Sequence, residues 1–136
     1  MLNIRNITEQ EKALERARYL EDYDSLTQLP NREMFMKKLR SEITRSVRQQ
    51  KHFAILFLNI DRFKEVNEMY GPLTGDRILR QIADRLSGIC SSDDFAARLA
   101  GDVFGLLLPD VADYDEAIEI VHRTRRIIAD PVAEGD

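Results

Sequence analysis

Apolar residues recur along this chain in two rhythms, and the rhythms divide it into helices and strands. Ala13, Leu14, Ala17 and Leu20 fall on one narrow stripe of a first helix. Thr8-Glu9-Gln10-Glu11 has the form of a capping box, so the Thr8 hydroxyl is expected at the helix start with Glu11 reaching back. Asp24 to Arg32 reads as a loop punctuated by Pro30 and Asn31. Phe35, Met36, Leu39, Ile43 and Val47 then predict a second helix over Arg32–Gln50 with these side chains inward. Phe53–Leu58 is apolar without alternation, which predicts a strand covered on both faces. A short helix follows with Phe63, Val66 and Tyr70 inward, and Gly71-Pro72 breaks it. A longer helix, started by Thr74-Gly75-Asp76, carries Ile78, Leu79, Ile82 and Leu86 inward. The apolar runs Phe95–Leu99 and Phe104–Leu108 flank Gly101-Asp102, the sign of a tight hairpin in which glycine supplies positive φ. Ala117, Ile118, Val121 and Ile128 mark a last helix that Pro131 ends.

From the first strand onward the order is β-α-α-β-β-α, an α+β sandwich of ferredoxin-like form. One strand of that form is missing at the C-terminal side, because the right-handed crossover after the last helix has nowhere to land. The missing strand would pair beside Phe53–Leu58. The exposed apolar edge left behind is expected to be covered by another copy or by the N-terminal helix. The chain thus reads as a fragment, with a signalling or linker helix over 1–23 and a C-terminally truncated domain over 24–136. The lean stripe of the first helix fits a stalk that pairs with a second copy, and also a strut on its own domain.

Composition narrows the function classes. With 24 acidic and 20 basic residues the formal charge is −4, so no global field draws nucleic acid or an anionic membrane. The single cysteine, Cys90, excludes an internal disulfide and fits a reducing compartment. No signal peptide opens the chain, and no apolar run approaches the roughly 18–20 residues of a membrane span. A soluble, cytoplasmic protein without direct membrane contact is expected. His52 and His122 have no partners in metal-ligand spacing, and the Arg123, Arg125 and Arg126 cluster favours the dipole at a helix end.

Three motifs carry the chemistry. They are Asp24-Ser25-Leu26-Thr27-Gln28-Leu29-Pro30-Asn31-Arg32, then Asn59-Ile60-Asp61-Arg62-Phe63-Lys64 continuing through Asn67 and Gly71 to Gly75-Asp76, then Ala100-Gly101-Asp102-Val103-Phe104. In order and spacing they resemble the diguanylate cyclase, or GGDEF, domain family, which condenses two GTP into cyclic di-GMP. The resemblance runs from about Asp22 to Pro131 and implies a nucleotidyl-cyclase palm. A weaker similarity of Arg5–Gln10 to the exit of a PAS sensor domain implies a neighbouring sensor, with a phosphodiesterase (EAL) domain as a further neighbour.

The resemblance implies Mg²⁺ held by carboxylates, polarising a phosphate and helping to ionise the attacking hydroxyl. In this chain Asp102 keeps one metal position and the Ile60 carbonyl stays available. Asn59 stands where the family has a ligating aspartate, and Val103 where it has an acidic residue used for metal binding or catalysis. No catalytic residue is therefore assigned, and the implied Mg²⁺ site of Asp102, Asn59 and Ile60 is weakened. Ala100, in place of a glycine, is expected to crowd a backbone that needs positive φ. For the nucleotide, the resemblance assigns Asn67 and Asp76 to the guanine edge, Lys64 to phosphate and Gly101 to the close approach of the turn. Against this, Asn67 and Asp76 also read as helix caps, and Lys64 as a solvated lysine. The family's R-x-x-D inhibitory motif falls on Ser91-Ser92-Asp93-Asp94, where Ser91 lacks the arginine fork. Three readings follow: a degenerate, inactive domain that binds GTP or regulates a neighbour; a working diguanylate cyclase with an atypical site; or a pure dimerisation module, with a homodimer in the last two.

Overall fold

The computed structural model describes residues 4–129, with side chains from Thr8 onward. The elements are α1 (Ile4–Asp22), α2 (Arg32–Gln49), β1 (His52–Asn59), α3 (Phe63–Tyr70), α4 (Pro72–Ile89), β2 (Phe95–Ala100), β3 (Val103–Val111) and α5 (Tyr114–Ile128). The strands form one antiparallel sheet in the order β1-β3-β2. This is the α+β arrangement expected from the apolar rhythms. Pro131 lies outside the described residues. No helix among the described residues is long and apolar enough to cross a membrane.

Strand alternation sends β3 to two cores at once. Phe104, Leu106 and Leu108 face α4 and α5, where they pack with Leu79, Ile82 and Leu86. Leu107 faces the other way and packs with Phe35 of α2 and Ala97 of β2. Gly105 leaves room on that side, since a Cβ there would lie 3.2 Å from the Phe35 ring and 3.0 Å from Leu99 Cδ1. Phe104, last residue of the hairpin motif, is fully buried, so this motif is also a core element. Arg45 of α2 bonds Glu42 on its own helix and Asp110 at the far end of β3, fixing that corner of the helix.

Several expectations change in three dimensions. The helix begins at Ile4, so Thr8 lies inside α1 rather than at its start; no glycine or proline separates the two positions to stop the helix earlier. Of the α2 stripe only Phe35 is buried, whereas Met36, Ile43 and Val47 are exposed. The sheet is three strands wide and α2 packs chiefly over its edge strand β2, so only part of the helix's apolar stripe meets the sheet. Tyr70 is exposed because it closes a two-turn helix that packs through Phe63. β1 is covered fully on neither face: Leu56 is buried, but Phe57, on the α2 side, is 68% exposed. As the order β1-β3-β2 requires, β1 is an edge strand. The N-terminal helix does not cover that edge; α1 packs on α2 instead.

Candidate functional site

The hairpin builds the centre of the site. Ala100 pairs with Val103, leaving Gly101 and Asp102 as a two-residue turn, with Gly101 at φ +21°. Ala100 itself is not at positive φ and is exposed, so the expected crowding is absent: the ladder holds it extended and the turn falls one residue later. Across β3, Asn59 lies opposite Val103 and Leu58 opposite Phe104. The Ile60 N–H donates to the Asp102 carbonyl at 3.3 Å. Sheet register thus brings Asn59, Ile60, Asp102 and Val103 to one end of two neighbouring strands.

The side chains at that end are one carboxylate, one amide and the two aliphatic groups of Ile60 and Val103. Among the described residues no group of three His, Cys, Asp or Glu side chains converges as a metal would require. Mg²⁺ demands a near-complete octahedron of hard oxygens, and paired ions need carboxylates to offset their charge. Asp102 with the Asn59 amide does not fit a pair of such ions, and Val103 offers no donor at all. His52 and His122 are exposed and lie in no such group.

A clamp that sequence reasoning missed holds the turn in place. Arg98 donates from Nε to the Gly101 carbonyl at 2.9 Å and from Nη1 to both Asp24 carboxylate oxygens at 3.2 Å. Its backbone N–H donates to the Pro30 carbonyl at 3.0 Å. The Asp24 carboxylate also accepts from the Thr27 N–H and hydroxyl, each at 2.8 Å. One arginine therefore ties the first motif to the third. The available signal was a lone charged residue inside the apolar run Phe95–Leu99, which calls for a partner when partly buried. The same loop grips α1 at its end: Asn31 donates to the Asp22 and Glu21 carbonyls, and its side chain caps α2 by accepting from the Met34 N–H.

Burial alone would raise the Asp24 carboxyl, but the Thr27 and Arg98 hydrogen bonds outweigh it and hold the group below its usual 3.8. A carboxyl lowered on folding stabilises fully above its unfolded value and loses that contribution as pH falls through the folded one. Arg98→Ala is expected to cost about 1–2 kcal/mol in urea unfolding at pH 7, since Asp24 loses a charged partner while staying partly accessible to water. The gap between parent and variant should narrow in acid, as pH falls below 3.8 through the folded Asp24 value, leaving the share of the Arg98–Gly101 bond. A gap that persists unchanged there would detach the effect from Asp24.

The nucleotide residues sit on the α3–α4 corner. Asn67 occupies the last turns of α3, where its backbone carbonyl accepts from the Gly71 N–H at 2.8 Å. Its side-chain Oδ1 is buried without a hydrogen-bond partner among the described residues. Gly75 makes that position available: a Cβ there would fall inside contact distance of Asn67 Oδ1, 2.7 Å from its Cγ and 3.1 Å from Phe63 Cζ. Asp76 lies half-buried in the second turn of α4, which starts at Pro72 after Gly71. Neither residue is a cap, so the bland reading of the pair fails on geometry: proline at the first helical position moves the start upstream of Asp76. Lys64 is exposed in the first turn of α3, as its solvated reading also expects. Asp94 accepts from the Ser91 N–H at 3.0 Å and so closes its own turn before β2. Burial and nearby Asp94 push the Cys90 thiol up to about 11, away from nucleophilic use.

Comparison with known proteins places this geometry. The family described as "Diguanylate cyclase, GGDEF domain" matches residues 21–136. The chain is 43% identical over 111 residues to the probable diguanylate cyclase DgcE of Escherichia coli, covering 81% of this chain and 10% of that protein. It is 36% identical over 114 residues to the diguanylate cyclase TpbB of Pseudomonas aeruginosa, covering 84% of this chain and 26% of that one. The chain therefore spans a quarter or less of most of these curated relatives' length, and 10% of the first. Among solved structures, the isolated GGDEF domain of TpbB superposes with a TM-score of 0.77 at 36% identity, over 81% of this chain and 64% of that one. The coiled coil and GGDEF domain of DgcB from Caulobacter crescentus, in complex with c-di-GMP, gives 0.77 at 27% identity, over 92% and 63%.

Proposed function

The chain belongs to the GGDEF diguanylate cyclase domain family of cyclic di-GMP signalling, and on that premise we propose that it is a degenerate member that binds GTP without condensing it. The register Asn59↔Val103 carries this reading, because it sets two neutral side chains together at the place where the family holds divalent cations. A valine neither ligates a metal nor accepts a proton, and losing such a group ordinarily costs about 10²–10⁴ in rate. We derive no phosphoryl step through a metal on this chain.

Recognition survives where the charge does not. The orphaned Asn67 Oδ1 and the half-buried Asp76 carboxylate lie on adjoining helices. Asp76 would accept from the guanine N1–H and amino group, and Asn67 would complete the edge. In a longer protein the bound state would act by favouring one packing of α1 and its neighbour over another. Residues 1–23 would serve there as the linker helix, and 24–136 as the nucleotide domain beside a sensor or phosphodiesterase domain. A pure dimerisation module through Leu14 and Leu20, both exposed on α1, is the competing reading.

GTP titration by calorimetry separates the two. The parent chain is expected to bind GTP with little dependence on Mg²⁺ and to form no cyclic di-GMP. Asp76→Ala should weaken binding at least ~10-fold, the effect of losing about 1.4 kcal/mol of charged hydrogen bonding. Equal affinity in the parent and Asp76→Ala would sink the GTP reading and leave the dimerisation module.

A further inference from the structure

Four residues other than glycine take positive φ among the described residues: Gln28 at 67°, Gln50 at 55°, Arg62 at 58° and Asp110 at 59°. Gln50 is the C-cap of α2 and Arg62 the N-cap of α3, and aspartate tolerates this region through its short polar side chain. Gln28 has none of these reasons. It lies in the loop between α1 and α2, and glutamine is not among the residue types enriched at positive φ. A backbone in a disfavoured conformation persists only where its surroundings hold it, which directs attention to what the side chain touches. That side chain is engaged through both atoms of its amide. Its Oε1 accepts from the Tyr19 hydroxyl of α1, and its Nε2 donates to the Ser25 carbonyl at 3.2 Å. The Tyr19 ring is itself fixed by stacking on Tyr23, with centroids 4.6 Å apart and planes 13° from parallel.

We propose that Gln28 is a latch: its amide fastens the last turns of α1 to the loop, and its strained backbone is tolerated for that bond. Asn31 grips the helix only through the Glu21 and Asp22 carbonyls. Tyr19 lies further up the helix, so a second hold there fixes the direction of α1 as well as the place of its end. The backbone of the same residue faces the other way. The Gln28 N–H donates to the Asp24 carbonyl at 2.9 Å, and Asp24 receives the Arg98 guanidinium that holds the Gly101 turn. With the latch closed, a displacement of α1 reaches that loop through Gln28; with it open, the helix pivots on its last residues. Anything that binds α1 in only one of these directions would shift the balance between them. This inference concerns α1 and its loop alone and stands whether or not the α3–α4 corner binds GTP.

Amide hydrogen exchange on the full 136-residue chain tests the latch, with the β3 amides as the internal reference for global unfolding. Gln28→Ala and Gln28→Gly both remove the amide but differ in backbone, since alanine keeps the strain at φ 67° and glycine relieves it. Both should speed exchange at the Tyr19–Tyr23 amides by the same factor, roughly 2- to 10-fold, the effect of losing one exposed hydrogen bond. Tyr19→Phe keeps an aromatic ring against Tyr23 and removes only the hydroxyl, so it should match them. Gln28→Gly added to Tyr19→Phe should then change nothing further, because the bond is already gone. Gln28 and Tyr19 are both exposed, so these variants are expected to fold. The proposal is overturned if α1 exchange is unchanged in Gln28→Gly. It is also overturned if exchange rises in the alanine variant alone, which would assign the effect to the backbone, or if the Gln28→Gly and Tyr19→Phe effects add, which would make the two residues independent.

Discussion

Asn59→Asp combined with Val103→Glu is expected to turn a site indifferent to Mg²⁺ into one that binds it, raising affinity by at least ~10-fold, or about 1.4 kcal/mol. The two positions face each other across β1 and β3, and Asp102 sits in the adjacent turn, so the double variant gathers three carboxylates at one sheet end. Without metal, like charges placed directly opposite on neighbouring strands repel, and the variant should be less stable than the parent. Adding Mg²⁺ should then raise its melting temperature, because an ion that binds only the folded state stabilises by mass action. The parent, with one carboxylate there, should show no such rise. Each single variant should gain less than half of the double's effect, since the charges act on a shared ion. A melting temperature that ignores Mg²⁺ in the double variant would refute the idea that these two substitutions emptied the site of metal.

Gly75→Ala is expected to be the most damaging alanine replacement among the described glycines. The added Cβ would collide with the Asn67 amide, 2.7 Å from its Cγ, while the Phe63 ring closes the other side at 3.1 Å. Neither neighbour has an easy retreat. Asn67 is on a helix whose partner is α4 itself, and Phe63 is packed against the main core. Overpacking of this kind costs typically about 1–3 kcal/mol. The larger effect should be on GTP, since the methyl displaces the amide that would meet the base. Loss of detectable binding with a chain that still unfolds cooperatively is the expected outcome. Gly88→Ala is the control: nothing lies within 4 Å of a Cβ there, so it should leave binding unchanged and add helix propensity. Unaltered GTP binding in Gly75→Ala would show that Asn67 does not meet the nucleotide.

The elements of this fold were legible in the sequence because the helices are amphipathic and the strands are short, nearly unbroken apolar runs. Leu79, Ile82 and Leu86 stand a helical turn apart and Phe104–Leu108 forms one run, and both patterns are local properties of the chain. The Gly101-Asp102 turn was equally local, since two strands and a residue able to take positive φ fix a hairpin without help from elsewhere. The absence of acid at Asn59 and Val103 could also be read directly. That these two residues face each other was decided by the β1–β3 register, a pairing between segments more than forty residues apart in the chain.

Tertiary structure also decided which apolar residues count as core. Met36, Ile43 and Val47 have the periodicity of buried positions, but α2 sits over β2 and leaves them in solvent. The role of Arg98 is of the same kind: its charge in an apolar strand signalled a partner, yet only folding brings Asp24, 74 residues away in sequence, to its guanidinium. The fate of Asn67 turned on Gly75, eight positions later and on another helix. Periodicity records which side of an element avoids water. Which neighbour supplies the cover, and which polar atom is left without a partner, depends on contacts whose two halves lie far apart in the chain.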